Sequence, residues 1–272
     1  MTPKEIVETN IAGAKNKATN KWWKLLLLGI LAGLFIGLGA VASSMAAHGL
    51  PGTGLIRLVT GLVFPLGICL VVLLGAELFT GNVLMLNAMV DRKIGWRGLL
   101  RNWALVYVGN FIGAVILAAA MVWCEQIGIG GGDLAVYTAK VAATKASMPW
   151  LNALTLGIFC NLLVCAAIYL AIGAKSVGGK IVALWVPVAA FAIAGFEHSV
   201  ANMYYVPAGI FAYWNPAFAQ KIIDAGVNTA VLDFGDFSLN NLIPVTIGNI
   251  IGGAAIGLVL YFVHCNEKKI RK

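Results

Sequence analysis

Charge is scarce in this sequence. Only 11% of its 272 residues are Asp, Glu, Lys or Arg, 60% are hydrophobic, and the mean hydropathy is +0.89. Soluble domains carry about 25% charged residues, so a water-soluble fold is excluded and an integral membrane protein is expected. Acids are scarcer than bases, 11 against 19, giving a net charge of +8. Gathered on one surface, that excess would suit a nucleic-acid partner; its distribution, described below, excludes one. The first twenty residues, MTPKEIVETNIAGAKNKATN, lack the short apolar core and cleavage site of a removable signal. They are expected to form a cytoplasmic helix lying along the membrane surface.

Cysteine is sparse too. Cys69, Cys124, Cys160, Cys165 and Cys265 show no metal-ligand spacing, and four of them sit in apolar segments, where cysteine behaves as a small hydrophobe. Neither a disulfide, a metal nor any other cofactor is expected. Gly-x-Ser-x-Gly and His-Glu-x-x-His are absent, which leaves an intramembrane hydrolase without a nucleophile or a metal site. Ser199 lies next to His198 in sequence, poor geometry for a dyad. Asn-Pro-Ala, which an aquaporin carries as a pair, occurs only once, at residues 215–217.

What the sequence has instead is apolar length. A helix crosses the hydrocarbon core with about 20 residues, and six stretches qualify: roughly 25–48, 55–90, 98–124, 149–174, 181–214 and 242–264. The second and fifth are too long for one span, and polar or flexible residues interrupt them at GAELFTGN (75–82) and GFEHSVAN (195–202). Basic residues set the orientation. Lys4, Lys15, Lys17, Lys21 and Lys24 precede the first span. Arg92, Lys93, Arg97 and Arg101 follow the second, Lys175 and Lys180 the fourth, and Lys268, Lys269, Arg271 and Lys272 the last. Arg57, Lys140, Lys145 and Lys221 alone fall on the other side. Both termini are therefore expected in the cytoplasm, in a multi-pass protein of the cell (inner) membrane.

The two interruptions share Gly-x-Glu-x-x-x-x-Asn: Gly75, Glu77 and Asn82 answer Gly195, Glu197 and Asn202. Downstream, RNWALVYVGNFIGA (101–114) matches NNLIPVTIGNIIGG (240–253) in the same order. Each unit holds three spans, and an odd number turns the second copy upside down, so an inverted repeat is expected with a pathway between the two breaks. Glu77 and Glu197 are the only acids inside spans. As structural residues they would accept the N–H groups freed where a helix restarts. His198 has Leu78 as its counterpart, so duplication alone does not explain it; a mid-membrane imidazole can donate a hydrogen bond to an anion and titrates near neutral pH. Asn161 either ties helices together or lines the path, and Thr80 is either a helix-end hydroxyl or a pore partner for His198.

GAELFTGN, LGIFCNLLVC and GFEHSVANM together resemble the formate/nitrite transporter family, over nearly the whole chain. The resemblance implies an all-α membrane protein of six transmembrane helices in a 3+3 inverted repeat, aquaporin-like, with helices two and five broken. It implies a homopentamer in the lipid bilayer, with a pore through each protomer, carrying small monovalent anions such as formate, nitrite or hydrosulfide. The expected division is 1–22 as the N-terminal helix, 23–265 as the channel (repeats about 23–125 and 149–264) and 266–272 as a cytoplasmic tail. By resemblance His198 is the central histidine, Thr80 its partner and Asn161 the pore asparagine. The vestibule lysine maps to Lys145, with Lys140 as rival. Constrictions map to Phe64, Ile68, Leu78 and Phe79 on the cytoplasmic side and to Val164 and Phe191 on the other; the family commonly has leucine at 68. Lys145 would concentrate anions and His198 would bond the permeant species between the apolar rings. Neutralising Lys145 would then weaken uptake without unfolding the protein. The alternative is an aquaporin-like channel for neutral solutes.

Overall fold

Lipid offers no hydrogen bonds, so a segment that faces it must pair its own backbone groups, and apolar crossings form helices. The computed structural model describes residues 1–265, and among them helix is the only regular structure. In chain order the helices are α1 (Pro3–Thr19), α2 (Trp22–Ala47), α3 (Thr53–Leu73), α4 (Phe79–Val90), α5 (Trp96–Trp123), α6 (Asp133–Ala146), α7 (Trp150–Gly173), α8 (Val177–Ala194), α9 (Ser199–Trp214), α10 (Pro216–Asp224) and α11 (Phe234–Cys265). Six of them, α2, α3, α5, α7, α8 and α11, are long and apolar enough to cross a membrane. The tail expected at 266–272 lies outside the described residues.

The two long apolar stretches are each a full span followed, after a break, by a second helix: α3 with α4, and α8 with α9. Both breaks begin at a glycine in the left-handed region, Gly75 at φ +72° and Gly195 at φ +75°, a conformation that side chains with a Cβ resist. The chain then runs extended through Leu78 and His198 before the helix restarts.

Bare backbone sets the packing of the spans. A methyl group on Gly113 would collide with the carbonyl oxygen of Ile30, and one on Gly252 with that of Ile158. Thus α2 meets α5, and α7 meets α11, at glycine-lined crossings, the small-residue contact that brings membrane helices close. Leu27, Val108, Ile116, Leu151 and Val259 point outward and are exposed, as a face toward lipid or a neighbouring copy requires.

The N-terminal helix α1 docks on the ends of the spans, burying Val7, Ile11 and Ala14 against Leu84, Leu99 and Tyr261. A capping box between Thr2 and Glu5 starts it, and Lys17 near its end is tied into the protein.

Candidate functional site

A helix that stops inside a membrane leaves polar backbone groups to be satisfied. Two asparagines do this, one per half. Asn110 on α5 accepts the Phe79 N–H at 2.9 Å and donates to the carbonyls of Gly29 (2.8 Å) and Glu77 (2.9 Å). Asn249 on α11 accepts the Ser199 N–H at 2.9 Å and donates to Gly157 (2.8 Å) and Glu197 (2.9 Å). The expectation that Glu77 and Glu197 cap the restarting helices is therefore corrected. Their side chains are not needed there, because the asparagine amides reach both the N–H where the helix restarts and the carbonyls behind it.

The glutamates hold lysines instead. Lys145 on α6 reaches both Glu197 oxygens, at 2.8 and 2.9 Å, and Asn202 donates to the same carboxylate at 2.7 Å. Asn202 also donates to Asn241, whose amide donates to the Lys145 carbonyl at 3.2 Å. In the other half Lys17 on α1 reaches Glu77 at 3.0 Å, Asn82 donates to Glu77 at 2.7 Å and to Asn102 at 2.9 Å, and Asn102 donates to the Lys17 carbonyl at 3.2 Å. The same lysine–glutamate–asparagine–asparagine set thus occurs twice. One difference is local: Asn241 sits in a π-helical turn, Phe237–Leu242, whereas Asn102 sits in regular α5. Sequence reasoning assigns no role to Lys17, Asn102, Asn241, Asn110 or Asn249, although all four asparagines lie within the two matching segments, at paired positions.

Each set borders a cavity. The Lys145 cavity, about 510 Å³, is lined by Arg57, Phe64, Lys140, Lys145, Phe191, Glu197, His198 and Tyr205 among others. Lys140 and Lys145 both reach it, but only Lys145 pairs with the buried Glu197; the Lys145 ammonium also stands 5.5 Å from the Tyr205 ring centre. The Lys17 cavity, about 340 Å³, is lined by α1 residues and by Val71, Glu77, Leu78, Gly81 and Ile168. The two share no lining residue.

His198 stands at the end of the first. Its Nδ1 accepts the Ala201 N–H at 3.1 Å, so Nε2 of the neutral ring carries the hydrogen and donates to Thr80 Oγ1 at 2.8 Å. Thr80 lies between Leu78 and Gly81, which line the second cavity. Asn161 lines neither cavity: its amide donates to the Thr80 carbonyl at 3.1 Å and to the Asn249 carbonyl at 2.6 Å, so it works as a tie between α7, α4 and α11.

The apolar residues sort differently from expectation. Phe64 packs edge-on to Phe191, ring centres 5.8 Å apart, and lines the Lys145 cavity with it, not the cavity that Leu78 lines. It lies midway along α3, 11 residues before Gly75 and about 16 Å from it along a helix at 1.5 Å per residue. Leu78 lines the Lys17 cavity, while Phe79 lines neither, its ring edge-on to Tyr107 at 4.9 Å and Trp103 at 5.9 Å. Ile68 and Val164 are buried in the apolar cluster that also contains Phe64, Leu78 and Phe191.

Six apolar crossings around two cavities, separated by a buried histidine–threonine contact, are the layout of a membrane transport protein. Comparison with known proteins gives the family. The chain belongs to the formate/nitrite transporter family, whose profile matches residues 4–263. It is 39% identical over 259 residues to the formate channel FocA of Haemophilus influenzae, covering 93% of this chain and 91% of that one. It is 40% identical over 271 residues to a probable formate transporter of Methanothermobacter thermautotrophicus, covering 93% and 92%. Among solved structures it resembles a pentameric formate channel with formate bound, with a TM-score of 0.82, 39% identity, and coverage of 89% of this chain and 96% of that one.

Proposed function

We propose that this protein is a channel for small monovalent anions of weak acids, with formate first among them and nitrite and hydrosulfide as chemically similar candidates. The observation that carries the reading is the His198–Thr80 hydrogen bond, set between two cavities that share no lining residue. The relatives' substrate supports it. The two lysine–glutamate sets are read as the two halves of an inverted repeat, residues 1–22 forming an inner cover and 23–265 the channel. The Lys/Arg asymmetry supports an orientation with α1 and both termini in the cytoplasm of a cell whose inner membrane holds a homopentamer of such pores. On that orientation the Lys145 cavity opens outward.

An anion entering that cavity loses water as it nears the apolar cluster. Ionic desolvation in a low-dielectric wall is costly, and a fixed donor offsets part of it. The Nε2 hydrogen of His198, held toward Thr80 at rest, can turn to a carboxylate oxygen, and the Thr80 hydroxyl can donate alongside it. Ile68, Val164 and Leu78 are read as the constriction on either side. A permeant acid that gains a proton passes this apolar part more easily than its anion.

The test is a reversal-potential series in planar bilayers, run with formate, nitrite and hydrosulfide in turn. The expected outcome is formate current that follows the formate gradient. Water or glycerol flux without anion current would overturn the reading in favour of a neutral-solute pore.

A further inference from the structure

The Lys145 cavity holds more positive charge than its buried ion pair uses. Its wall contains Arg57, Lys140, Lys145 and one carboxylate, Glu197. Lys145 and Glu197 compensate each other at 2.8 Å. Arg57 and Lys140 are both exposed, line the cavity, and have no ion-pair partner among the described residues. The Arg57 guanidinium rests on the break itself, because a methyl group on Gly195 would stand only 2.9 Å from its nearest nitrogen. The missing side chain at Gly195 therefore serves twice: it permits the left-handed turn, and it seats a cation three residues from His198.

The other half has no such seat. A methyl group on Gly75 would meet nothing within 4 Å. The Lys17 cavity is lined by one cation, Lys17, and one carboxylate, Glu77, bonded to each other at 3.0 Å. The repeated sets are alike, while among the lining residues the charge left over is two at one cavity and none at the other.

We infer that Arg57 and Lys140, rather than the ion-paired Lys145, capture the anion at the Lys145 cavity, and that the pore is electrically lopsided as a result. This rests on the reading that the protein conducts small anions. Two unit charges about 10 Å away in water enrich a monovalent anion about fourfold, and the enrichment is lost as salt shortens the Debye length from about 30 Å at 0.01 M to about 3 Å at 1 M. A passive path cannot pump, so the asymmetry appears as rectification: in symmetrical formate, current is larger at the voltage that drives anions in from the Lys145 side.

The experiment uses the full chain as single insertions in planar bilayers, in symmetrical sodium formate, comparing wild type with Arg57→Gln, Lys140→Gln and the double variant. The readout is the larger current divided by the smaller at equal and opposite voltages, a ratio that is the same for either direction of insertion. At about 0.01 M salt the wild-type ratio is expected to lie several-fold above one, and the double variant to approach one, each single variant falling between; at about 1 M salt all four converge. Arg57→Lys should keep the wild-type ratio. A double variant with wild-type rectification and salt dependence would overturn the inference while leaving the channel reading intact. Wild-type bilayers with no anion current would defeat the channel reading and this inference with it.

Discussion

The Glu197 carboxylate accepts from Lys145, Asn202 and Asn241 while 4% exposed. This changes what a lysine substitution does. Lys145→Ala does more than remove a vestibule charge; it strands a buried carboxylate. Breaking a buried pair from one side costs about 3–5 kcal/mol, so thermal unfolding in detergent should move down strongly for Lys145→Ala. Lys145→Met combined with Glu197→Gln should recover most of the loss. Equal melting of both variants with wild type would show the pair to be energetically idle. The stranded carboxylate adds a stability cost to the weakened uptake expected from neutralising Lys145. At the centre, His198→Phe removes both the Nε2 donor and the Nδ1 cap on Ala201, and should abolish formate current in assembled protein. Thr80→Ser should keep that current and Thr80→Val should lower it by about tenfold, the ~1.4 kcal/mol of one modest hydrogen bond; wild-type current in Thr80→Val would remove the hydroxyl from the mechanism.

Among the elements, the glycine crossings make a sharp comparison. At Gly113 a methyl group would meet the backbone of Ile30, whereas at Gly178 it would meet nothing within 4 Å. Overpacking costs about 1–3 kcal/mol, so Gly113→Ala should lower the unfolding midpoint while Gly178→Ala leaves it unchanged or slightly raised. Matching midpoints would mean that α2 and α5 can part without cost. How much of this is legible in the sequence follows from the physics of each feature. Spans and breaks are visible because lipid enforces apolar length and because Gly75 and Gly195 interrupt it with the same Glu and Asn spacing. The correspondence of Lys17 with Lys145 is hidden: Glu77 and Glu197 are 120 positions apart but the lysines are 128 apart, so the register slips between a helix and its span. Only docking of α1 and α6 in space restores the match. Phe64 lines the other cavity from the one expected because the chain position of a side chain before a break does not say which cavity it faces until the span is followed in space.

For the molecule as a whole, the proposed homopentamer with one pore per protomer makes a quantitative expectation. Pentamers assembled from mixtures of wild-type and His198→Phe chains should carry current in proportion to the wild-type fraction. A steep, cooperative loss would point to a path shared between protomers. The docking of α1 has a further consequence, in time rather than in space. Its seat is built from Glu77, Asn82 and the Asn102 amide that grips the Lys17 carbonyl, all made later by the ribosome. At about 5–20 residues per second, α1 waits several seconds after its own synthesis before its berth exists. A fusion placed ahead of α1 would have to be carried, unsettled, through the insertion of three crossings.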